Sequence, residues 1–352
     1  MKNETGFKIP FSGFTGMTFI NCFASAYVFI EKLATGSGDY ECKQRNGDKC
    51  DGCGNCRGTP AAVQERWFFL FDTMCGRSAL RLRFDGSQTE MQKLVGDIDG
   101  NGEGGSGGNI DFLFGFAGYA YSKLTEQGGF MQAVAGAVDA GRPVIARIKS
   151  DEPRGRFRLI CGYDEETLIC PDFANAQNRP ETAPGLGEID ELYVFGEKTV
   201  PRYTLKDGLE RIKNIMEYNI AQKLWDTYTC KVGKHHENAL PGCGIEEKKE
   251  RMKRIADTMW HVFNCHNFAE TFRQRIHGEL QNPALDSMCD TIDYCCDCIH
   301  DLAWAVIGFE KCADWTMHEG FFFGEMIDLT LKELAQNDEK TLDAVKKMLA
   351  VL

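Results

Sequence analysis

The chain has 352 residues, of which 43% are hydrophobic and 26% are charged, values that are ordinary for a folded protein and exclude wholesale disorder. Its 52 acidic and 40 basic residues give a net charge of -12, and no long run of basic residues interrupts this acidity. Since so acidic a surface repels phosphate groups and anionic lipids, we expect neither nucleic-acid binding nor membrane binding.

Apolar runs in the sequence are too short for a spanning helix, which needs about 20 residues. The best candidate, residues 17–30, contains Asn21, Cys22 and Ser25, and it lacks the basic region and the cleavage site of a secretory signal. The 16 cysteines lie in apolar runs or in clusters with metal-ligand spacing, which is typical of a reducing compartment. We therefore expect a cytoplasmic protein.

Up to about residue 195, short apolar runs are mixed with turns bounded by glycine. The predicted strands lie at residues 66–72, 79–84, 143–149, 157–162 and 191–196. The predicted helices lie at residues 22–33, 111–127 and 130–140. This mixture predicts an α+β domain with a mainly antiparallel sheet.

From Thr204 onward the sequence has helical periodicity, which begins with apolar residues such as Leu209 and Ile212. Further helices are predicted at residues 285–308, 312–335 and 338–351. Asn337, followed by Asp and Glu, is a start signal for the last of them. We therefore predict two domains, an α+β domain at residues 1–203 and an all-α domain at residues 204–352.

A stretch rich in glycine and acidic residues runs from Asp97 to Gly108. Asp97, Asp99 and Asn101 match the first half of a calcium-binding loop, in which oxygen ligands alternate around a sharp turn. Gly108 stands at the twelfth position, where such a loop carries a bidentate carboxylate. We favour a flexible surface loop, with calcium binding as the open alternative.

Four cysteines lie close together in a polar, glycine-rich segment at residues 40–58. They have the spacing C-x7-C-x2-C-x2-C and are Cys42, Cys50, Cys53 and Cys56. Four thiolates brought together by tight turns suit a tetrahedral ion, and nothing apolar in this segment would otherwise fold it. We predict a structural zinc (Zn2+) lobe inserted after the first helix. Two disulfides and an iron–sulfur cluster are the alternatives.

A second group of potential metal ligands lies in the helical half: His261, Cys265, Cys289, Cys295, Cys296, Cys298 and His300. Their helical spacing would allow a metal ion to bind between helices. Free cysteine is nevertheless among the most buried residue types. We therefore favour a cysteine-rich core over a second metal site.

Two stretches of the α+β half carry a further pattern. The first reads TFINCFASAYVFIEKLATG at residues 18–36, a cysteine that opens an apolar helix after a glycine-rich lead. The second reads GRPVIARIK at residues 141–149, GRFRLICGYD at 155–164 and LICPDF at 168–173. In this order they resemble the papain-like cysteine-peptidase superfamily, in particular the bacteriocin-leader peptidase-like proteins and the butirosin-pathway acyltransferase family. The resemblance covers most of residues 1–200.

This resemblance implies that Cys22 is the nucleophile and that Asp172 orients a catalytic histidine. A cysteine at a helix N-terminus has a stabilised thiolate, and its own backbone N–H helps to form an oxyanion hole. Arg156 stands at the position of the histidine, and a guanidinium, with a pKa above about 12, cannot act as a base. Asn21 is the polar neighbour nearest to Cys22 for the second oxyanion donor.

The expected function is therefore that of a thiol-dependent acyltransferase or of an amide or peptide hydrolase. We expect it to be degenerate, because Arg156 stands where the catalytic histidine is expected. A small-molecule, acyl or peptide substrate would lie between the two domains. One alternative is a non-catalytic binding protein of the same fold, in which Cys22 is an ordinary buried cysteine. Since all seven histidines lie between His235 and His318, a replacement base would come from His235, His236 or His318. The oligomeric state stays open.

Elemental analysis of the protein, purified without added metal, should detect about one zinc ion per chain, because four thiolates saturate a tetrahedral site. Cys53→Ser should lower the zinc content, whereas the matched control Cys170→Ser, outside the cluster, should leave it unchanged. Disulfides among the four cysteines, identified by mass spectrometry in place of a metal, would contradict this prediction.

Overall fold

A computed structural model of the chain describes residues 2–9, 18–34, 60–81, 108–149, 157–171, 180–182, 185–227 and 327–352, together with Lys253, Asp290, Thr291 and Tyr294. The chain forms two compact units. The first comprises Met1–Phe71 and Gly96–Tyr203, and the second comprises Asp72–Val95 and Thr204–Leu352. The second unit thus includes a short stretch from the N-terminal half of the sequence.

The first unit contains both helices and antiparallel sheets. Its described helices are α1 (Phe19–Ile30), α2 (Pro60–Met74, of which the last three residues belong to the second unit), α3 (Asn109–Ala117) and α4 (Phe130–Asp139). Its described strands are β1 (Lys2–Glu4), β2 (Tyr119–Leu124), β3 (Val144–Ile148), β4 (Phe157–Ile160), β5 (Gly162–Asp164), β6 (Thr167–Pro171), β7 (Pro180–Thr182) and β8 (Ile189–Lys198). These strands form two sheets, in the orders β1-β5-β6-β7 and β2-β8-β3-β4. All of their pairings are antiparallel, so the predicted α+β class is confirmed.

Helix α4 contacts strands of both sheets and closes one side of the hydrophobic core. Phe130, Val134 and Val138 recur at helical spacing, are buried, and belong to one apolar cluster with strand residues such as Leu192. The helix ends because Gly141 adopts a left-handed φ of 74° and donates its N–H to the carbonyl of Val138.

Most of the predicted elements in this unit are confirmed. The strands predicted at residues 143–149, 157–162 and 191–196 correspond to β3, β4 and β8, and the helix predicted at 130–140 corresponds to α4. The helix predicted at 22–33 begins three residues earlier, at Phe19. The reason is that Thr18 caps this helix with its hydroxyl oxygen.

The strand predicted at residues 66–72 is wrong, because this segment is the middle of α2. Pro60 occupies the start of the helix, where its missing N–H is tolerated. The aromatic run around Phe68 is buried, so exposure does not alternate along it. A continuous apolar run fits a buried strand and a buried helix equally well. The strand predicted at 79–84 is also wrong at its start, since a 3₁₀ turn covers Arg77–Ala79.

The helix predicted at residues 111–127 is half right, because α3 stops at Ala117 and β2 follows it directly. Gly118 ends the helix with a φ of 72°, which a residue with a side chain rarely adopts. A Cβ at this position would lie 2.9 Å from the carbonyl oxygen of Thr199. The single glycine therefore changes a helix into an edge strand that pairs with β8.

The described part of the second unit is helical, with α5 (Leu205–Ala221), α6 (Ile327–Val351) and the 3₁₀ turns Arg77–Ala79 and Leu224–Thr227. Thr204 and Asp207 form a capping box at the start of α5, in which each side chain accepts a hydrogen bond from the other residue's N–H. Helices α5 and α6 pack against each other. Ile212 and Met216 of α5 are buried, as the periodicity predicts.

Helix α6 runs without a break through the boundary predicted between residues 335 and 338. Asn337 does not start a new helix, because it and Asp338 are buried in the middle of α6. Asp338, which the sequence places next to a capping residue, instead binds the side chains of Arg81 and Trp225 within the second unit. The predicted helix at residues 285–308 lies outside the described residues, apart from isolated positions.

A buried ion pair between Arg81 and Asp338 joins the short N-terminal stretch of the second unit to α6. The guanidinium is bidentate, with Nη2 2.7 Å from Oδ1 and Nε 3.2 Å from Oδ2, and both side chains are 4% exposed. Trp225 donates its indole N–H to Oδ2 at 2.7 Å. Nη1 donates to the carbonyls of Ser78 and Leu80. Neither charge is therefore left unpaired in the core.

Asp338→Ala should lower the free energy of unfolding by about 3–5 kcal/mol, since it leaves the Arg81 guanidinium buried without a counter-charge. Urea denaturation of the full chain measures this change. The matched control is Asp343→Asn on the same helix, whose ion pair with Lys347 is exposed and should contribute less than about 1 kcal/mol. Equal losses in the two variants would contradict the prediction.

Candidate functional site

Cys22 lies one turn inside helix α1 and does not open it. Thr18 is the N-cap, and its hydroxyl oxygen accepts a hydrogen bond from the N–H of Asn21 at 3.3 Å. The N–H of Cys22 donates to the carbonyl of Thr18 at 3.1 Å. This amide therefore makes a helical hydrogen bond and is not free to stabilise an oxyanion, the role that the resemblance implies for it.

An aromatic cluster surrounds the first two turns of α1. Its members are Phe19, Phe23, Phe71, Phe114, Phe157, Tyr193 and Phe195. Phe19 packs edge-on against Phe157 of β4 at 5.5 Å and against Tyr193 of β8 at 5.2 Å between ring centroids. Phe23 contacts Phe71 of α2 at 5.0 Å in the same geometry. The helix is thus held between the sheet and α2.

The side chain of Cys22 is completely buried. In the sequence of α1 it stands between Phe19 and Phe23, which are also buried. Burial raises the pKa of Cys22 to about 12, although the positive charge of Arg158 and a backbone hydrogen bond lower it in part. The side chain is therefore a neutral thiol at physiological pH. Catalytic cysteines have the opposite character, with a lowered pKa and access to the substrate.

Arg156 and Asp172, which the resemblance assigns to the site, lie outside the described residues. Arg156 directly precedes Phe157, the first residue of β4, and Asp172 directly follows Pro171, the last residue of β6. Strands β5 and β6 form an antiparallel hairpin with Gly162 opposite Ile169. Strand β4 belongs to the other sheet, in which it pairs with β3.

A buried amide pair lies beside Cys22. Gln64 of α2 donates from Nε2 to Oδ1 of Asn21 at 2.7 Å, and both side chains are buried. The sequence pointed to Asn21 as the polar neighbour of Cys22 but missed Gln64. The signal for Gln64 is its helical spacing from Phe68 and Phe71, which becomes visible only when residues 60–74 are recognised as a helix.

The predicted metal sites cannot be compared with the structure, because they fall on parts of the chain that it does not describe. The four cysteines Cys42, Cys50, Cys53 and Cys56 lie there. So do the seven histidines, the helical cysteine group and most of the stretch from Asp97 to Gly108. Within the described ranges, no three His, Cys, Asp or Glu side chains are placed to hold a metal ion.

No protein-family model matches the chain, and no curated protein matches it. In the ranges that the structure describes, no helix combines the length and the apolar character needed to cross a membrane. The function must therefore be argued from the residues around Cys22 and from the resemblance of the sequence.

Cys22 should resist alkylation by iodoacetamide at neutral pH, because the buried thiol is protonated and out of reach. Peptide mapping by mass spectrometry should show labelling at least about 100-fold slower in the folded protein than in urea. Cys75 and Cys161, which are also buried free thiols, serve as internal references, and added glutathione reports an ordinary thiol. Labelling of Cys22 at the rate of glutathione would contradict the prediction.

Proposed function

We propose that the chain is a non-catalytic protein of papain-like lineage that binds a small-molecule, acyl or peptide ligand. The observation that carries this proposal is the state of Cys22, whose thiol is completely buried and whose pKa burial raises to about 12. A nucleophile must be a thiolate within reach of the substrate. A neutral, completely buried thiol contributes packing instead.

The order and packing of the elements support the papain-like lineage. The helix that carries Cys22 precedes β3 and β4 in the sequence and packs against both of them. The β5–β6 hairpin follows, with Arg156 before β4 and Asp172 after β6 in the sequence. The resemblance places a base and its orienting group at these two positions.

The loss of the base supports a binding role over a catalytic one. Arg156 occupies the position of the histidine, and a guanidinium does not accept a proton at physiological pH. General acid–base catalysis contributes roughly 10²–10⁴-fold to such reactions. A site that lacks this help and keeps its thiol buried has two independent obstacles to turnover.

Zinc in the four-cysteine lobe would be structural in this proposal. Its ligands would be Cys42, Cys50, Cys53 and Cys56. Four thiolates leave no coordination position open for water or substrate, so the ion would fold the lobe without taking part in chemistry. The lobe is therefore compatible with a binding protein.

The second candidate is a thiol-dependent acyltransferase or hydrolase with weak activity. One observation favours it: Cys22 lies near the N-terminus of α1, and the charge of Arg158 lowers its pKa against the larger effect of burial. For this candidate, the thiol of Cys22 would have to become exposed to the substrate.

Hydrolysis of an activated thioester distinguishes the two candidates. We expect the parent protein and Arg156→His to hydrolyse the thioester no faster than Cys22→Ala, because an added imidazole cannot activate a thiol that the substrate does not reach. Initial rates measured on the full chain give the comparison.

A rise of roughly 10²–10⁴-fold in Arg156→His that Cys22→Ala abolishes would instead establish the second candidate. Lys2→His is the control, since it places an imidazole on the exposed strand β1 and removes no charge that acts on the pKa of Cys22. The urea midpoint of each variant shows whether it is folded.

A further inference from the structure

Four polar side chains, which we call the Glu191 cluster, lie on one face of β2, β3 and β8. Lys123 of β2 stands directly opposite Tyr193 of β8, and Arg147 of β3 stands directly opposite Glu191 of β8. Glu191 and Tyr193 are two residues apart in the same strand, so all four side chains point to the same side of the sheet. The register of three strands thus assembles residues that are far apart in the sequence.

The carboxylate of Glu191 is the centre of this cluster. Its Oε1 lies 2.7 Å from Nζ of Lys123. Its Oε2 lies 3.6 Å from Nη1 of Arg147 and accepts a hydrogen bond from the hydroxyl of Tyr193. The Lys123 ammonium also lies 5.7 Å from the centre of the Tyr193 ring, within reach of a cation–π interaction. An isolated surface ion pair contributes little, but here three partners meet at one carboxylate that is 14% exposed.

Tyr193 connects the cluster to the start of α1. Its ring is 3% exposed and packs edge-on against Phe19, with 5.2 Å between the ring centroids. Phe19 is the first residue of α1 and is completely buried. The same turn contains the N–H groups of Asn21 and Cys22, which donate to the hydroxyl oxygen and the carbonyl of Thr18. A series of contacts therefore runs from the polar cluster to the first turn of the helix.

We infer that Glu191 is a positioning residue, whose carboxylate holds Tyr193 against Phe19 and thereby fixes the first turn of α1. The hydrogen bond restrains the tyrosine ring, and the two cations hold the carboxylate in place. The turn that is fixed in this way carries Asn21 and Cys22 of the candidate site. The cluster acts on the conformation of α1, so its role goes beyond the proposed function and does not depend on the ligand class.

The role of Glu191 depends on its charge. Burial raises the pKa of this carboxyl group, but hydrogen bonds from Lys123 and Tyr193 and the charges of Lys123 and Arg147 together hold it below its ordinary value. Helix α1 carries no charged residue that could face the carboxylate. A carboxyl group with a lowered pKa stabilises the folded state above its ordinary pKa, and this stabilisation is lost as the pH falls through the pKa of the folded state. Acid should therefore release the first turn.

The test measures hydrogen exchange at the N–H groups of Asn21 and Cys22 in the full-length, ¹⁵N-labelled chain. Glu191→Ala removes the carboxylate, so both amides should exchange about tenfold faster than in the parent at pH 7. Exchange through opening of one turn depends weakly on urea, whereas exchange through unfolding of the whole unit depends on it steeply. Unchanged rates would overturn the inference. So would rates in Glu191→Ala that rise with urea as steeply as those of the slowest-exchanging amides.

Two further variants locate the effect. Tyr193→Phe keeps the ring and removes only the hydroxyl, so it should also accelerate exchange at Asn21 and Cys22. Parent rates in Tyr193→Phe would overturn the inference, because the carboxylate would then not act through the tyrosine. Glu197→Ala is the matched control, since it removes a carboxylate from the exposed end of β8, and it should keep the parent rates. If Glu191→Ala does not fold, Tyr193→Phe and the pH profile of the parent chain decide.

The pH profile separates the charge of Glu191 from its packing. In the parent, the exchange rate of the Cys22 amide, divided by its rate in an unstructured peptide, should rise as the pH falls from about 5 to about 3. Glu191→Gln keeps the side-chain length and an acceptor for Tyr193 but does not titrate, so the rise should be smaller in this variant. A level profile in the parent would overturn the inference, and so would an equal rise in Glu191→Gln.

Discussion

The burial of the first two turns of α1 is the constraint on which the rest of the first unit depends. Phe19 and Phe23 contact the sheet, α2 and α3 through aromatic rings, so the helix has little freedom to rotate or slide. This packing places Cys22 in the interior and brings Asn21 against Gln64. The chemistry available to the thiol follows from this burial, because desolvation raises the pKa of Cys22.

The fold was predictable from the sequence wherever turns and periodicity were unambiguous. Helix α4 has apolar residues at helical spacing and a glycine that ends it, so its prediction succeeded. Helix α2 was mistaken for a strand because the run around Phe68 is apolar on every side and has no period to detect. At Gly118 the local stop signal was correct, and the helix predicted at residues 111–127 ran past it. At Asn337 the local signal pointed the wrong way, because the asparagine lies inside a helix. Tertiary contacts override such a local signal, and one sequence does not reveal them.

The candidate site was predictable only in part, because a single sequence reveals unusual residues but not the contacts between distant ones. Cys22 and Asn21 stand out because they are polar or reactive residues in an apolar helix. Gln64 is 43 residues away from Asn21, and only the packing of α2 on α1 joins them. The start of the helix at Phe19 was decisive for the role of Cys22, since a shift of three residues converts an N-terminal cysteine into one whose amide is already bonded. A helix boundary is the least certain feature of a sequence-based prediction, yet the oxyanion hole depends on it.

In the proposed papain-like lineage, a buried thiol and an arginine at the position of the base would have compatible consequences. Without a base, a thiolate would have to persist in the ground state, and in an aromatic interior its desolvation would oppose folding. A neutral thiol avoids that cost and packs as a small apolar group. The dipole of α1 would stabilise a thiolate in a cysteine peptidase. At Cys22 burial is the largest influence on the pKa and raises it, so the position of the residue near the helix N-terminus does not make its sulfur a thiolate.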